Sequence, residues 1–306
     1  MPCTAFLSCA STLRGRISPL IRSMGDKPAE ICVSEALFFT AKASSSEMSI
    51  MQLPKKRPVI WDQRLLRVTI VDIDHFAHLC RRPMPLAERL AHVQREITNR
   101  PPQRLLAASK GVAAETLRRA YVLGLRHFGE NYLQEALDKQ MALKDLDGIV
   151  WHFIGRIQRN KTTALARHFD WVESVDRPLI AERLNTARTG MVAPLNVLIE
   201  VAISAEDSKG GCAPEEVPEL ALAISRLSHL RLRGLMALVH PQPGQADADF
   251  RRMAELFLTL QQTPVHADLD TLSMGTSADY PQALRHGATE IRLGTTLFGA
   301  RTQESL

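Results

Sequence analysis

The sequence predicts a (β/α)8 barrel over residues 84–306, preceded by an 83-residue extension of different character. Three observations carry that reading. Eight apolar, strand-like runs alternate with amphipathic helical stretches, and such alternation means parallel strands joined by helical crossovers. The 223 residues that hold them lie in the usual size range of such a barrel. No GxGxxG turn follows the first run, which counts against the open doubly wound sheet of a dinucleotide-binding domain.

Taken in order, MPLAERLAHVQREI spaces its apolar residues at the helical period and is closed by Pro101-Pro102, which predicts a leading helix. The strand runs follow: RLLAASK (104–110), LRHFGEN (125–131), IVWHFIG (149–155), DWVESVD (170–176), LNVLIEVAIS (195–204), LRLRGLMAL (230–238), LDTLSMG (269–275) and EIRLG (290–294). Helical stretches such as AAETLRRAYVLG, LQEALDKQMAL, PLIAERLNTAR, DADFRRMAELFLTLQQ and ADYPQALRHG lie between them. In this architecture function sits at the C-terminal ends of the strands, where the βα loops begin.

The extension shows Ser-rich patches (SCAST, ASSSEMS) and no sustained period, and only LLRVTIVDI (65–73) has strand character. It is expected to be poorly ordered. Three origins stay open: a start codon placed too far upstream, with Met84 as the true start, a targeting peptide, or a real appendage. Arg14, Arg16 and Arg22 in an acid-free first 25 residues resemble a transit peptide in composition.

With 45% hydrophobic residues, 23% charged residues and a mean hydropathy of −0.10, the chain can bury a core. It has no uncharged apolar run of membrane-spanning length, so a soluble protein is expected. Four cysteines (Cys3, Cys9, Cys32, Cys80) fall in the extension and only Cys212 in the body, which argues against a disulfide framework or a structural zinc site. The net charge of +5 also belongs to the extension, with 12 Lys+Arg against 7 Asp+Glu. The body holds 26 of each, so it has no net electrostatic case for binding nucleic acid.

At the strand ends, Lys110 follows the apolar run LLAA. It is open to two readings: a partly desolvated amine able to attack a carbonyl, or a lysine whose stem snorkels to solvent. The seventh and eighth runs end in Ser273-Met274-Gly275-Thr276-Ser277 and Arg292-Leu293-Gly294-Thr295-Thr296. These are hydroxyl-rich turns with glycine, placed where barrels commonly bind phosphate. Ser277 could cap the next helix and also donate to a phosphate, or merely cap it. A phosphate cradle opposite a strand-end lysine suits a phosphorylated aldehyde, and pyridoxal 5′-phosphate fits that description. Arg292 would then reach the pyridine nitrogen as a hydrogen-bond donor, or pair with Glu290 instead.

The blocks LLAASK, RHFGENYLQEALDK, WHFIGRIQRNK, FDWVESVD, LNVLIEVAIS, DSKGGC, LRLRGLMAL, DTLSMGTSAD and EIRLGTTLFGAR, in this order, closely resemble the pyridoxal phosphate homeostasis protein family, often called YggS or PROSC. The match covers essentially all of 84–306 and none of 1–83. The resemblance implies a barrel like the N-terminal domain of alanine racemase, with cofactor held as a Schiff base. It also implies a role in vitamin B6 balance without established turnover. It assigns the Schiff-base amine to Lys110, phosphate contacts to Ser277, Gly294 and Thr295, and the pyridine nitrogen to Arg292. Asn131 and His152 map to strand ends facing the cofactor. Lys209 maps to a loop lysine for which the resemblance implies help in passing cofactor to other proteins, a solvated loop lysine being the other reading. Three positions depart from the family pattern: Gly111, read as loosening the turn that aims Lys110, then Thr276 and Gly210.

A carrier that buffers pyridoxal phosphate and supplies it to apo-enzymes is therefore expected, as a cytoplasmic monomer without nucleic-acid or membrane partners. The alternative is a racemase-like enzyme. A racemase needs a second acid/base, which alanine racemase takes from the tyrosine of an added domain that this sequence does not show. Tyr121 and Tyr132 are expected in helical stretches and Tyr280 at the start of the seventh helix between strands.

Overall fold

The computed structural model describes residues 37–41, 48–52, 59–62, 67–70, 84–97, 104–204, 210–239, 243–263 and 269–299. The chain divides into two units, Met1–Pro83 and Met84–Leu306. In the first, the strand expected within 65–73 is present as Arg67–Ile70, paired antiparallel with Val59–Asp62. A second antiparallel pair joins Leu37–Ala41 to Met48–Gln52. These three further strands were not legible, because runs of four or five apolar residues carry too little period to separate strand from coil.

The second unit opens with helix α1 (Leu86–Ile97), the predicted leading helix, which buries Leu90 and Val93 one turn apart. Eight strands follow: β1 (Arg104–Ala108), β2 (His127–Glu130), β3 (Val150–Phe153), β4 (Trp171–Val175), β5 (Leu195–Glu200), β6 (Leu230–Met236), β7 (Thr271–Thr276) and β8 (Glu290–Leu293). They form a closed barrel in sequence order, every neighbouring pair parallel. The ring closes where β8 meets β1, with Glu290 opposite Arg104 and Leu293 opposite Ala107. Each strand lies within its predicted run except β7, which extends one residue beyond it to Thr276. The longest run, 195–204, is cut at Glu200 because the chain turns there: Val201 forms only an isolated bridge to Cys212, whose N–H donates to the Glu200 carbonyl at 2.9 Å.

The crossovers contain α2 (Ala114–Val122), α3 (Leu133–Ala142), α4 (Thr162–His168), α5 (Pro178–Arg188), α6 (Val217–Ser225), α7 (Pro243–Gln261) and α8 (Tyr280–Arg285), and a short α9 (Thr295–Phe298) follows β8. Their apolar faces (Leu117, Leu165, Ile180, Leu184, Ile224, Phe250) bury against outward strand residues such as Phe128, Val172, Val197 and Ile291. Each such side chain contributes about 1.5–3 kcal/mol of transfer free energy, and together they make the shell that holds the strand ends in place.

The lumen is different. Trp171, Leu198 and Met236, with Val150 against them, form a separate apolar cluster. Above and beside it the lumen is polar. Ser273 of β7 donates to Glu173 of β4 at 3.0 Å, and since these strands are not sheet neighbours the bond crosses the barrel. Arg104 of β1 likewise lies over the Trp171 ring of β4, 4.3 Å from its centroid.

Candidate functional site

A cavity of about 440 Å³ opens at the C-terminal ends of the strands. Thr276, Ser277 and Ala278 from the β7 turn and Gly294 and Thr295 from the β8 turn line one side; Ala108, Asn131 and Ile154 from the β1 to β3 ends line another, and Arg292 and Met236 reach it from within β8 and β6. A cavity of this size and place is the ordinary form of a small-molecule site in this fold.

Ser277 ties the two turns together. Its Oγ accepts the N–H groups of Gly294 at 3.2 Å and Thr296 at 3.1 Å, and Thr296 Oγ1 donates back to the Ser277 carbonyl. With both lone pairs engaged, the hydroxyl proton is left to donate into the cavity. The helix-cap reading of Ser277 is corrected: the N-cap position of α8 is Asp279, whose Oδ1 accepts the N–H of Thr276 at 2.6 Å and its hydroxyl at 2.9 Å. The departure at Thr276 thus puts a hydroxyl to use inside the turn.

Arg292 is nearly fully buried. Its Nη1 donates to Ser273 Oγ at 2.6 Å and its Nη2 to the Ala237 carbonyl at 2.7 Å. The pairing with Glu290 does not form, because Glu290 is held by Arg104 of the adjoining strand at 3.0 Å. Ser273 continues the chain to Glu173, whose Oε1 lies 2.6 Å from His152 Nδ1, and His152 Nε2 lies 2.9 Å from His127 Nδ1.

His152 therefore stands in the lumen, fully buried and stacked on Trp171, and is not among the cavity-lining residues. The resemblance put it facing a cofactor; the strand's inward pleat instead connects it to the cavity through Glu173, Ser273 and Arg292. Burial pushes both His152 and His127 down to about 4, so both are neutral at neutral pH. Burial pushes the Glu173 carboxyl up, against the pull of the Arg292 charge, and pushes Glu290 up to about 6 with the Glu173 charge adding to it. His152, Glu173 and Glu290 bring ligand atoms within 4.8 Å of one another, the spacing of a metal site. Arg104 pairs with Glu290 Oε2 and the Arg292 charge acts on Glu173 through Ser273, while Glu290 Oε1 is buried without a hydrogen-bond partner.

Lys110 lies one residue beyond β1's last neighbour, Ser109, half-buried, with its Nζ 4.7 Å from the centre of the Tyr132 ring. It is not among the residues lining the cavity, although Ala108 is. Tyr132 is the N-cap of α3 rather than part of it, and it went unrecognised as a neighbour of Lys110. Tyr121 donates to the Asp147 carbonyl and Tyr280 to the Glu96 carboxylate. Gly111 stands at φ +69°, a conformation glycine adopts freely, so this departure suits the turn rather than loosening it. Asn131 is pinned by close approach: a Cβ on Gly155 would lie 2.1 Å from its carbonyl oxygen.

Two groups were missed or unresolved by sequence. Glu200, at the end of β5, is buried and pushed up to about 7, chiefly by desolvation and then by Asp176. No pattern marked it. Cys212 is buried, its thiol pushed up to about 12, and packs as a small apolar residue. Lys209 lies outside the described residues.

A closed parallel barrel with a lysine after its first strand and serine-bridged turns after its last two defines a class, that of the alanine racemase N-terminal domain, whose family profile matches residues 85–302. Within that class, the chain belongs to the pyridoxal phosphate homeostasis protein family. It is 54% identical over 199 residues to the protein of that name from Pseudomonas aeruginosa, covering 64% of this chain and 84% of the relative. It is 44% identical over 230 residues to that from Pasteurella multocida, covering 71% and 98%. A structure of PipY from Synechococcus elongatus PCC7942 with PLP bound is 36% identical, with a TM-score of 0.65 over 70% of this chain and all of that one. Alanine racemase from Corynebacterium glutamicum, 16% identical with a TM-score of 0.55 over 72% of this chain and 62% of that one, shares the fold.

Proposed function

We propose that this chain binds pyridoxal 5′-phosphate at the barrel mouth and holds it as a reserve, in vitamin B6 balance, without catalytic turnover. The observation that carries the reading is Ser277, whose two accepted N–H bonds leave its proton for a phosphate oxygen beside the Gly294 and Thr295 turn. Arg292, with Nη1 and Nη2 fixed on Ser273 and Ala237, is an oriented donor for a ring nitrogen. A residue that keeps its proton leaves such a nitrogen unprotonated and the ring a weaker electron sink. Pyridoxal phosphate supplies an aldehyde, which the Lys110 amine takes as a Schiff base, a C=N bond forming as one water leaves. Asn131 lines the same cavity, and His152 acts on it only through the Glu173–Ser273–Arg292 chain.

The support from outside the chain is the name shared by its relatives and the PLP-bound PipY structure. Delivery to apo-enzymes, with Lys209 assisting, and action as a cytoplasmic monomer complete the proposal. Among the described residues, no helix is long and apolar enough to cross a membrane. The test is the visible absorption spectrum of the full chain given pyridoxal phosphate, for wild type and Lys110→Ala, before and after borohydride. A band in wild type alone, fixed on the Lys110 peptide, is expected, together with no racemisation of free amino acids. No band in either folded protein, or racemisation abolished by Lys110→Ala, overturns the reading.

A further inference from the structure

Residues 109–112 form the turn that carries Lys110 away from β1. The Ser109 carbonyl accepts the N–H of Val112 at 2.9 Å, and Gly111 at φ +69° takes the third position, as a type II turn requires. A tight turn closed by one hydrogen bond does not by itself fix a side chain's direction. This one is held from behind. Lys139, in α3, is only 6% exposed, a rare state for lysine. Its Nζ donates to the Ser109 carbonyl at 2.7 Å, Glu130 Oε1 at 2.6 Å and Glu135 Oε1 at 2.7 Å, one acceptor for each ammonium proton. Glu135 Oε1 also accepts the N–H of Gly111 at 2.5 Å, and Glu130 Oε1 accepts the Ser109 hydroxyl at 2.6 Å.

These bonds fall on both sides of Lys110. The Ser109 carbonyl belongs to the peptide plane before its Cα and the Gly111 N–H to the plane after it. Because peptide planes are rigid, holding the two fixes the φ and ψ of the residue between them, and so the direction of its Cα–Cβ bond. We propose that Lys139, with Glu130 and Glu135, is a positioning clamp that sets the direction from which the Lys110 amine meets an aldehyde. The clamp deepens the pyridoxal phosphate reading and rests on it. Its electrostatics argue for a role beyond packing. A buried ion cluster stabilises a fold little compared with apolar side chains of similar volume, and here Glu130 Oε2 remains buried without a partner. The desolvation of Glu130, which pushes its carboxyl up despite Lys139 and Ser109, is a cost that the aimed turn explains.

The test compares two ligands on the full chain: pyridoxal 5′-phosphate, followed by the rate of borohydride-trapped adduct, and pyridoxine 5′-phosphate, which carries an alcohol in place of the aldehyde, followed by equilibrium affinity. The variants are Glu135→Ala, whose side chain is 29% exposed and tolerates removal, and the neutralised pair Lys139→Met with Glu130→Gln, which strands no buried charge. Misaiming a reacting group by about an ångström costs on the order of 10–100-fold in rate. We expect at least about tenfold slower capture of the aldehyde in both variants, with affinity for the alcohol within about twofold of wild type. Full-rate capture in a folded variant, or equal loss of both ligands, overturns the clamp. Wild type that traps no adduct overturns the reading beneath it, and that result shows before any variant is made.

Discussion

Ser277 shows how much one hydroxyl does at the residue scale. Two backbone N–H groups from the β8 turn converge on its oxygen, so replacing it frees both turns and removes the proton offered to the cavity. Ser277→Ala is expected to weaken pyridoxal 5′-phosphate binding by about 1.5–3 kcal/mol, the range for a hydrogen bond to a charged group, and to leave the phosphate-free pyridoxal nearly unaffected. Titration with both ligands checks this. Glu200 makes a pH prediction. Its carboxyl is pushed from the ordinary 4.5 up to about 7 by burial, so the folded state binds a proton the unfolded chain has released. Its contribution is therefore intact below about pH 4.5 and lost as pH rises through about 7. Glu200→Gln removes the ionisation, and denaturant titration should show it more stable than wild type at pH 8, by roughly 1–3 kcal/mol, and about equal at pH 4.5. Lys110, Ser277 and Arg292 were legible because strand ends and hydroxyl-glycine turns are local patterns. Glu200 and Lys139 were not, since what distinguishes them is burial among residues distant in sequence.

At the scale of elements, each strand was readable as an apolar run because strands of a parallel barrel are buried on both faces, as all five residues of β4 are. Their ends were less so. The 195–204 run reads as one strand, yet the pairing of Glu200 and Ala202 with Cys212 diverts the chain after Glu200. The turn after β3 presses on the turn after β2 through Gly155, where any Cβ meets the Asn131 carbonyl. Gly155→Ala is expected to displace Asn131 and cost about 1–3 kcal/mol, the ordinary penalty for overpacking, measurable as a lower denaturant midpoint with unchanged m-value and weaker cofactor binding. No sequence pattern announces such an approach, because it joins two turns whose distance depends on strand register.

For the whole molecule, closure is the decisive event. β8 pairs with β1, so the ring is complete within residues 104–293 and owes none of its strands to the extension. The fragment 84–306 is expected to bind pyridoxal phosphate with the affinity of the full chain, and with less dependence on salt in any contact with RNA, since the net charge of +5 lies in 1–83. Parallel titrations of both proteins, and a salt series with RNA, check this. By itself the sequence determined the alternation of strands and helices, the barrel, the positions of Lys110, Ser277 and Arg292 at strand ends, and the family, because period, turn chemistry and motif order are written in neighbouring residues. Only the tertiary structure decided that His152 faces the lumen, that Arg104 rather than Arg292 holds Glu290, and that Lys139 and Glu135 together hold the two sides of Lys110. Those outcomes depend on which side chains cross a closed ring or meet across a helix and two strands. Such contacts are set by register and shear, which no local pattern encodes.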